Sequence, residues 1–309
     1  MTEARLVARM RELFSDRIGD DAAIVGDQVL TTDMLVEDVD FTRATPLRFV
    51  ARKSLAVNLS DLAAMGARPA IALLALALPP WALENVDELL TAYAEAARQH
   101  GIEIVGGDLS RADKLTISVT AIGTIVSRPL LRSGARPGDR IYLSRPVGGA
   151  AAGLTLLGKD AKAYAEREFI ESAIRRQLDP EPEVALGLAL AAIPEVTSCI
   201  DVSDGLSSDL HHLCESSRCG AELEKERIPV FADLLSHGAK LGIDVRNAVL
   251  NGGEEYALLF TSSLTESQMS TRAGRPVYAI GRMTKAEGVL LKEEGVARPL
   301  PRGGFDHFA

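Results

Sequence analysis

The sequence predicts an α/β (α+β) protein of two domains, spanning 1–135 and 136–309. Three observations predict it. Apolar runs at strand period alternate with segments at helical period through both halves. The stretch "SGARPGDRIYLS" carries glycine and proline turn chemistry before a new apolar run, which sets the boundary near residue 135. A chain of 309 residues is also long enough to bury two cores.

The elements follow in order. "AAIV", a Gly-Asp turn at 26–27 and "QVLTTDMLV" read as two strands joined by a tight turn. Thr45 and Pro46 read as an N-cap and a first-turn proline. The helix they open carries Leu47, Val50, Ala51, Leu55, Leu59, Leu62 and Ala63 at helical spacing and closes at Gly66. "AIALLALALPPWAL" is too short and too broken by proline to span a bilayer, and reads as a buried strand. A helix near 84–100 stops at Gly101, followed by a short strand "IEIV" and a longer one, "LTISVTAIGTIV". In the second half "PVGGAAAGLTLL" turns into a helix, and two helices follow near 163–177 and 182–192. Strand "SCIDV", helix "LSSDLHHLCESS" and the strand-like runs "EYALLF", "VYAIG" and "GVLLKEE" complete the chain.

Composition narrows the function classes. The net charge is −9 with no basic stripe, which disfavours non-specific nucleic-acid binding. The first residues, "MTEARLVARMRELF", mix acids and bases and resemble neither a signal peptide nor a transit peptide. Cys199, Cys214 and Cys219 lack metal-ligand spacing and read as buried thiols in a reducing cytosol.

Carboxylates recur where elements end. "RIGDDAAIV" holds Asp21, "TTDML" holds Asp33 beside Thr31 and Thr32, and "NLSDLAAMG" puts Asn58 and Asp61 on one helix face. "VGGDLSR" presents Asp108 after a strand and a glycine pair, "DVSDGLSSDL" presents Asp201, Asp204 and Asp209, and "NGGEEYALLF" presents Glu254 and Glu255. Any one of these patches reads as an ordinary turn or helix cap. Together they have almost no basic neighbours in sequence, and carboxylates gathered without counter-ions raise one another's pKa. Hard oxygen donors beside hydroxyls suit Mg²⁺, whose bridging would let an acidic protein hold a polyphosphate.

"GDDAAIV", "TTDMLVEDVDF", "NLSDLAAMGARP", "GGDLSR", "RSGARPGD", "DVSDGLSSDL", "NGGEEYALLF" and "GGFDHF" appear in this order and together resemble the thiamine-monophosphate kinase family of the aminoimidazole-ribonucleotide synthetase-like ATP-binding superfamily. The resemblance runs from residue 19 to residue 308. It implies a cytoplasmic, ATP-dependent phosphotransferase that makes thiamine diphosphate from thiamine monophosphate, the last step of thiamine diphosphate biosynthesis. It also implies a homodimer whose N-terminal mixed sheets pair into a barrel, with a C-terminal α/β sandwich-like domain completing the cleft. By resemblance, Asp21, Thr31, Thr32, Asp33, Asp61, Asp108, Asp201 and Asp204 would hold Mg²⁺. Gly107, Arg132 and Ser203 would contact ATP, with Gly106 beside them, and Glu254 and Phe305 would face the acceptor. Asp40 stands where the family usually carries the histidine of "GxHF", Leu109 replaces a hydroxyl residue, and "GGEEY" replaces "GGEDY". Glu254 and Asp40 make electrostatic sense near the thiazolium cation of thiamine.

The acceptor is a phosphate monoester, already an oxygen nucleophile, so the obstacle is repulsion between anions. At an effective dielectric of ~20, unit charges ~4 Å apart repel by roughly 4 kcal/mol. Direct in-line transfer with several Mg²⁺ ions follows, with Asp33 bridging two ions, Asp108 closing the ATP side and Arg132 as the basic phosphate contact. Three alternatives remain: another ATP-dependent synthetase or kinase of the superfamily, a Mg²⁺-dependent phosphatase, and a catalytically silent ATP-binding paralogue.

Overall fold

The computed structural model describes residues 3–15 and 17–305. The tail of "GGFDHF", from Asp306 onward, lies outside them.

After helix α1 (Glu3–Leu13), the first half runs β1 (Ala23–Val25), β2 (Gln28–Val36), α2 (Leu47–Ala64), β3 (Ala67–Leu78), α3 (Pro80–Leu83), α4 (Val86–His100), β4 (Glu103–Arg111) and β5 (Thr116–Ile125). Its sheet has the order β1-β2-β5-β3-β4. Only the β3–β4 pair is parallel, so the sheet is mixed. The predicted hairpin forms, with Gly26 at φ +65 in its turn.

The second half runs β6 (Arg140–Leu143), α5 (Gly149–Leu156), α6 (Arg167–Leu178), α7 (Val184–Ala191), β7 (Val196–Asp201), α8 (Leu206–Ser217), β8 (Gly220–Glu224), α9 (Leu234–His237), α10 (Val245–Asn251), β9 (Leu258–Ser262), α11 (Glu266–Ala273), β10 (Tyr278–Thr284), β11 (Val289–Glu293) and β12 (Val296–Pro299). These strands build a mixed sheet in the order β12-β11-β8-β10-β6-β9-β7, with only β8 and β11 parallel.

Helix α2 positions the site. It is buried along nearly its whole length, between β2 and β5 of one sheet, α4 and α7, and β7 of the other sheet. A helix with leucines, valines and alanines on several sides needs such surroundings, because solvent there would expose them. Gly187 lets α7 come close: a Cβ there would lie 2.0 Å from the Ala63 carbonyl oxygen. The helix ends as expected, with Gly66 at φ +66. Its start shifts by one residue: Pro46, not Thr45, occupies the cap position, and no side chain caps the helix.

Two strand expectations need correction. β3 is not buried on both faces, because Leu74 and Leu76 point into the core while Leu73 and Ala75 are exposed. Its apolar composition therefore reflects two different surfaces. β4 continues through the Gly106-Gly107-Asp108 segment instead of ending before it. Gly107 makes this possible at φ +153, where a Cβ would sit 1.6 Å from the Leu74 carbonyl oxygen. Gly107→Ala is expected to cost about 3 kcal/mol or more, because strain and overlap with main chain add. A thermal melt with no drop in Tm would contradict this.

The three cysteines are free, buried thiols. No helix among the described residues is long and apolar enough to cross a membrane.

Candidate active site

Three carboxylates from distant parts of the chain converge. Ligand-capable oxygens of Asp21, Asp61 and Asp201 lie within 4.8 Å of one another. Asp21 comes from the loop before β1, Asp61 from α2 and Asp201 from the end of β7, so the site joins the two sheets. Ser60 on α2 donates to Asp201 at 2.6 Å across the same junction.

Thr31 and Asp33 extend the cluster from β2. The Thr31 hydroxyl donates to Asp61 Oδ2, and the Asp33 main-chain N–H donates to Asn58 Oδ1 at 3.2 Å. Burial pushes the Asp33 carboxyl up to about 6, opposed by its hydrogen bond with Asp61 and reinforced by Asp40. Burial likewise raises Asp201 to about 6, opposed by Ser60 and Arg132 and reinforced by Asp33 and Asp204. Asp61 rises well above the usual range through burial and the charges of Asp33, Asp201 and Asp21. Asp21 rises to about 7, chiefly through burial, although Arg132 opposes the shift.

Arg132 differs from its expected role. Its Nε and Nη2 donate to Asp21 Oδ1 at 3.0 and 2.6 Å, and its main-chain N–H donates to Asp20 Oδ1. The guanidinium is thus already the counter-ion of an acid of the cluster. Asp21 Oδ2 is buried without a hydrogen-bond partner. An orphan carboxylate oxygen beside two further carboxylates fits a hard dication, which alone satisfies several such oxygens together.

Two predicted ligands lie elsewhere in the single chain. Thr32 alternates to the other face of β2, where its hydroxyl donates to the Val119 carbonyl and accepts from Thr120. Asp108 is exposed on β4, three strands from β2, or about 14 Å at the usual strand spacing. Register also puts it in the row Met34–Ser118–Ala75, on the sheet face away from α2. Gly106 and Gly107 accompany it.

The loop after α10 sorts the two glutamates. The Glu255 carboxylate accepts the Gly148 and Ala150 N–H groups at 2.8 Å each and faces Arg176, so it is the built-in anion of the α5 N-terminus. Glu254 points elsewhere and pairs with Lys53. Its main-chain N–H donates to the Ser203 carbonyl at 2.7 Å, which ties this loop to the turn bearing Asp204. Asp209 caps that turn, accepting the Asp204 and Gly205 N–H groups at 3.2 and 3.0 Å. Phe305 is half exposed, and its N–H donates to the Asp204 carbonyl at 3.1 Å. Asp40 accepts the Val36 N–H at 2.7 Å and lines a cleft beside Lys53.

The sequence reading overlooked Ser60, Lys53 and Gln177. Lys53 carried a signal, since helical spacing puts it in line with the apolar Val50 and Val57. Gln177 carried none.

Two mixed sheets around a buried helix, with acids gathered at their junction, define the aminoimidazole-ribonucleotide (AIR) synthase related class. The description "AIR synthase related protein, N-terminal domain" matches residues 19–125, and its C-terminal counterpart matches residues 136–292. The chain belongs to the thiamine-monophosphate kinase family. It is 36% identical over 303 residues to the thiamine-monophosphate kinase of Escherichia coli K12, covering 94% of this chain and 91% of that one. The Bacillus subtilis enzyme is 34% identical, with 94% and 93% covered. Among solved structures, AaThiL complexed with AMPPCP and TMP superposes with a TM-score of 0.88 at 31% identity, covering 99% of this chain and 97% of that chain. Thiamine-monophosphate kinase from Stenotrophomonas maltophilia superposes at 0.77 with 34% identity, over 93% and 95% of the chains.

Proposed function

We propose that this chain transfers the γ-phosphoryl group of ATP to thiamine monophosphate, giving thiamine diphosphate and ADP. One observation carries the reading: Asp21, Asp61 and Asp201 meet at the junction of the sheets, with Asp33 and Asp204 beside them. The family relationship supplies the substrates.

Asp21, Thr31, Asp33, Asp61, Asp201 and Asp204 would hold Mg²⁺, which supplies charge neutralisation for the phosphates when bound. The chain's own groups do the rest. Arg132 keeps Asp21 oriented, Ser60 fixes Asp201, and Thr31 fixes Asp61. No residue of the cluster is required as a base, because the acceptor oxygen is already anionic. Ser203 lies beside the Glu254 loop and would meet ATP, and Phe305 would cover the acceptor.

The division into domains near residue 135, the homodimer and a cytoplasmic location belong to the same proposal. Met34, Leu73, Val105 and Leu109 of the first sheet are exposed by 60, 40, 50 and 72%. Met34 and Leu73 lie on the open face away from α2 and Val105 and Leu109 on the edge strand β4, and an open face and edge this apolar support pairing with a second copy. Asp108, Gly106 and Gly107 lie on that sheet, so they would reach ATP on the side where two copies meet. Leu73→Glu is expected to convert the dimer to monomer in sedimentation velocity; an unchanged sedimentation coefficient would exclude this face.

The activity is tested by incubating the protein with ATP, Mg²⁺ and thiamine monophosphate and separating the products by chromatography. Thiamine diphosphate with stoichiometric ADP supports the reading. Inorganic phosphate released without ATP would replace it with a phosphatase.

A further inference from the structure

Lys53 is out of place on α2. The residue is 5% exposed on a buried helix, whereas the other two cations of α2 reach solvent, Arg48 as an exposed residue and Arg52 in part. Burying an ammonium without a partner costs several kcal/mol, so its surroundings must supply an anion. They supply one: Nζ lies 2.5 Å from Glu254 Oε1. The second Glu254 oxygen accepts from Gln177 Nε2. Gln177 is 3% exposed, and its own Oε1 has no partner.

The loop carrying Glu254 is strained. Glu254 has φ +63 and Tyr256 φ +47, conformations that side-chain-bearing residues rarely adopt. Main-chain bonds from Glu254 and Tyr256 to Ser203 and Val202 hold that strain beside the acid cluster. Lys53 and Gln177 also line a cleft of about 110 Å³ whose other walls include Val39, Asp40, Phe41 and Phe49. A cation, an orphan acceptor, a carboxylate and aromatic walls thus meet one turn and more along α2 from Asn58 and Asp61.

We propose that Lys53 holds the phosphate of the acceptor, and that its ion pair with Glu254 is exchanged when the acceptor binds. The inference rests on thiamine monophosphate being the acceptor. That molecule carries a thiazolium cation and a phosphate anion, the same two charges that Lys53 and Glu254 present to each other. On binding, the phosphate takes Lys53 and the thiazolium takes Glu254. The buried Lys53 ammonium is never left alone, which removes the desolvation penalty that unpairing it would incur, and the partly exposed Glu254 also keeps a counter-charge. The aminopyrimidine N–H donors of the same molecule meet Gln177 Oε1. Phosphate selection therefore resides in a side chain that no acidic motif contains.

The test compares affinities for thiamine monophosphate, for thiamine and for ATP with Mg²⁺ by isothermal titration. Lys53→Met is expected to weaken thiamine monophosphate about 30-fold while leaving thiamine and ATP within about twofold, since only the phosphate loses a charged partner. Lys53→Arg should recover most of the loss. Glu254→Gln should weaken thiamine and its monophosphate together. Thermal melts establish that each variant is folded, and Lys53→Gln stands in should the methionine variant not fold. An equal loss for thiamine and its monophosphate in the Lys53 variants overturns the inference and leaves the pair as a tie between the halves. An unchanged monophosphate affinity overturns it too. A wild-type protein that binds ATP but not thiamine monophosphate overturns the proposed function itself.

Discussion

Asp33→Asn is expected to lower kcat about a thousand-fold or more at saturating Mg²⁺ and ATP. The substitution keeps the shape of the side chain and removes the charge that β2 contributes beside Asp61. An interaction aimed at charge that develops during transfer is worth 10²–10³ in rate, and a lost dication contact adds to this. Stability should move the other way. In the metal-free protein Asp33 raises the pKa of Asp61 and Asp201, so removing its charge relieves repulsion and Tm should hold or rise. Steady-state kinetics with a parallel melt read both effects. A variant with near wild-type kcat would remove Asp33 from the mechanism, and one with a collapsed Tm would make its role structural.

The second large effect concerns pH and metal together. Burial, the leading cause in each case, lifts Asp21 to about 7 and Asp33 and Asp201 to about 6 from a reference of 3.8. A carboxyl whose pKa is raised in the folded state contributes stability that is complete below about 4 and lost as pH climbs through 6 to 7. Metal-free protein should therefore lose Tm between about pH 4.5 and 7.5 from this source. Mg²⁺ binds the deprotonated cluster, so protons compete with it below about pH 6. At a hundredfold excess over its Kd the ion should raise Tm by about 5 °C or more at pH 8, and by little at pH 5.5. Equal shifts at both pH values, or none with EDTA as the comparison, would show that these carboxylates do not share a dication.

The periodic parts of the fold could be read from the residues alone. α2, α8 and the first hairpin follow from spacing and glycine placement. What could not be read is which way a strand faces. Thr31, Thr32 and Asp33 are consecutive, yet the pleat sends Thr32 away from its neighbours. Asp108 follows the same logic at larger scale, because strand order is decided by tertiary pairing and no local signal places β4 at the sheet's far edge. Counter-ions were equally hidden. Arg132 lies 111 positions from Asp21, and Lys53 is further still from Glu254, so acids without basic neighbours in sequence have them in space.

Glu255 occupies the amide cup at the head of α5, a place where many nucleotide-binding folds seat a phosphate. That one metal-free seat for polyphosphate is thereby taken, and Arg132 already pairs with Asp21. On the proposed function, nucleotide occupancy would follow free dication activity, and magnesium starvation would silence the protein at docking, before any bond is made or broken.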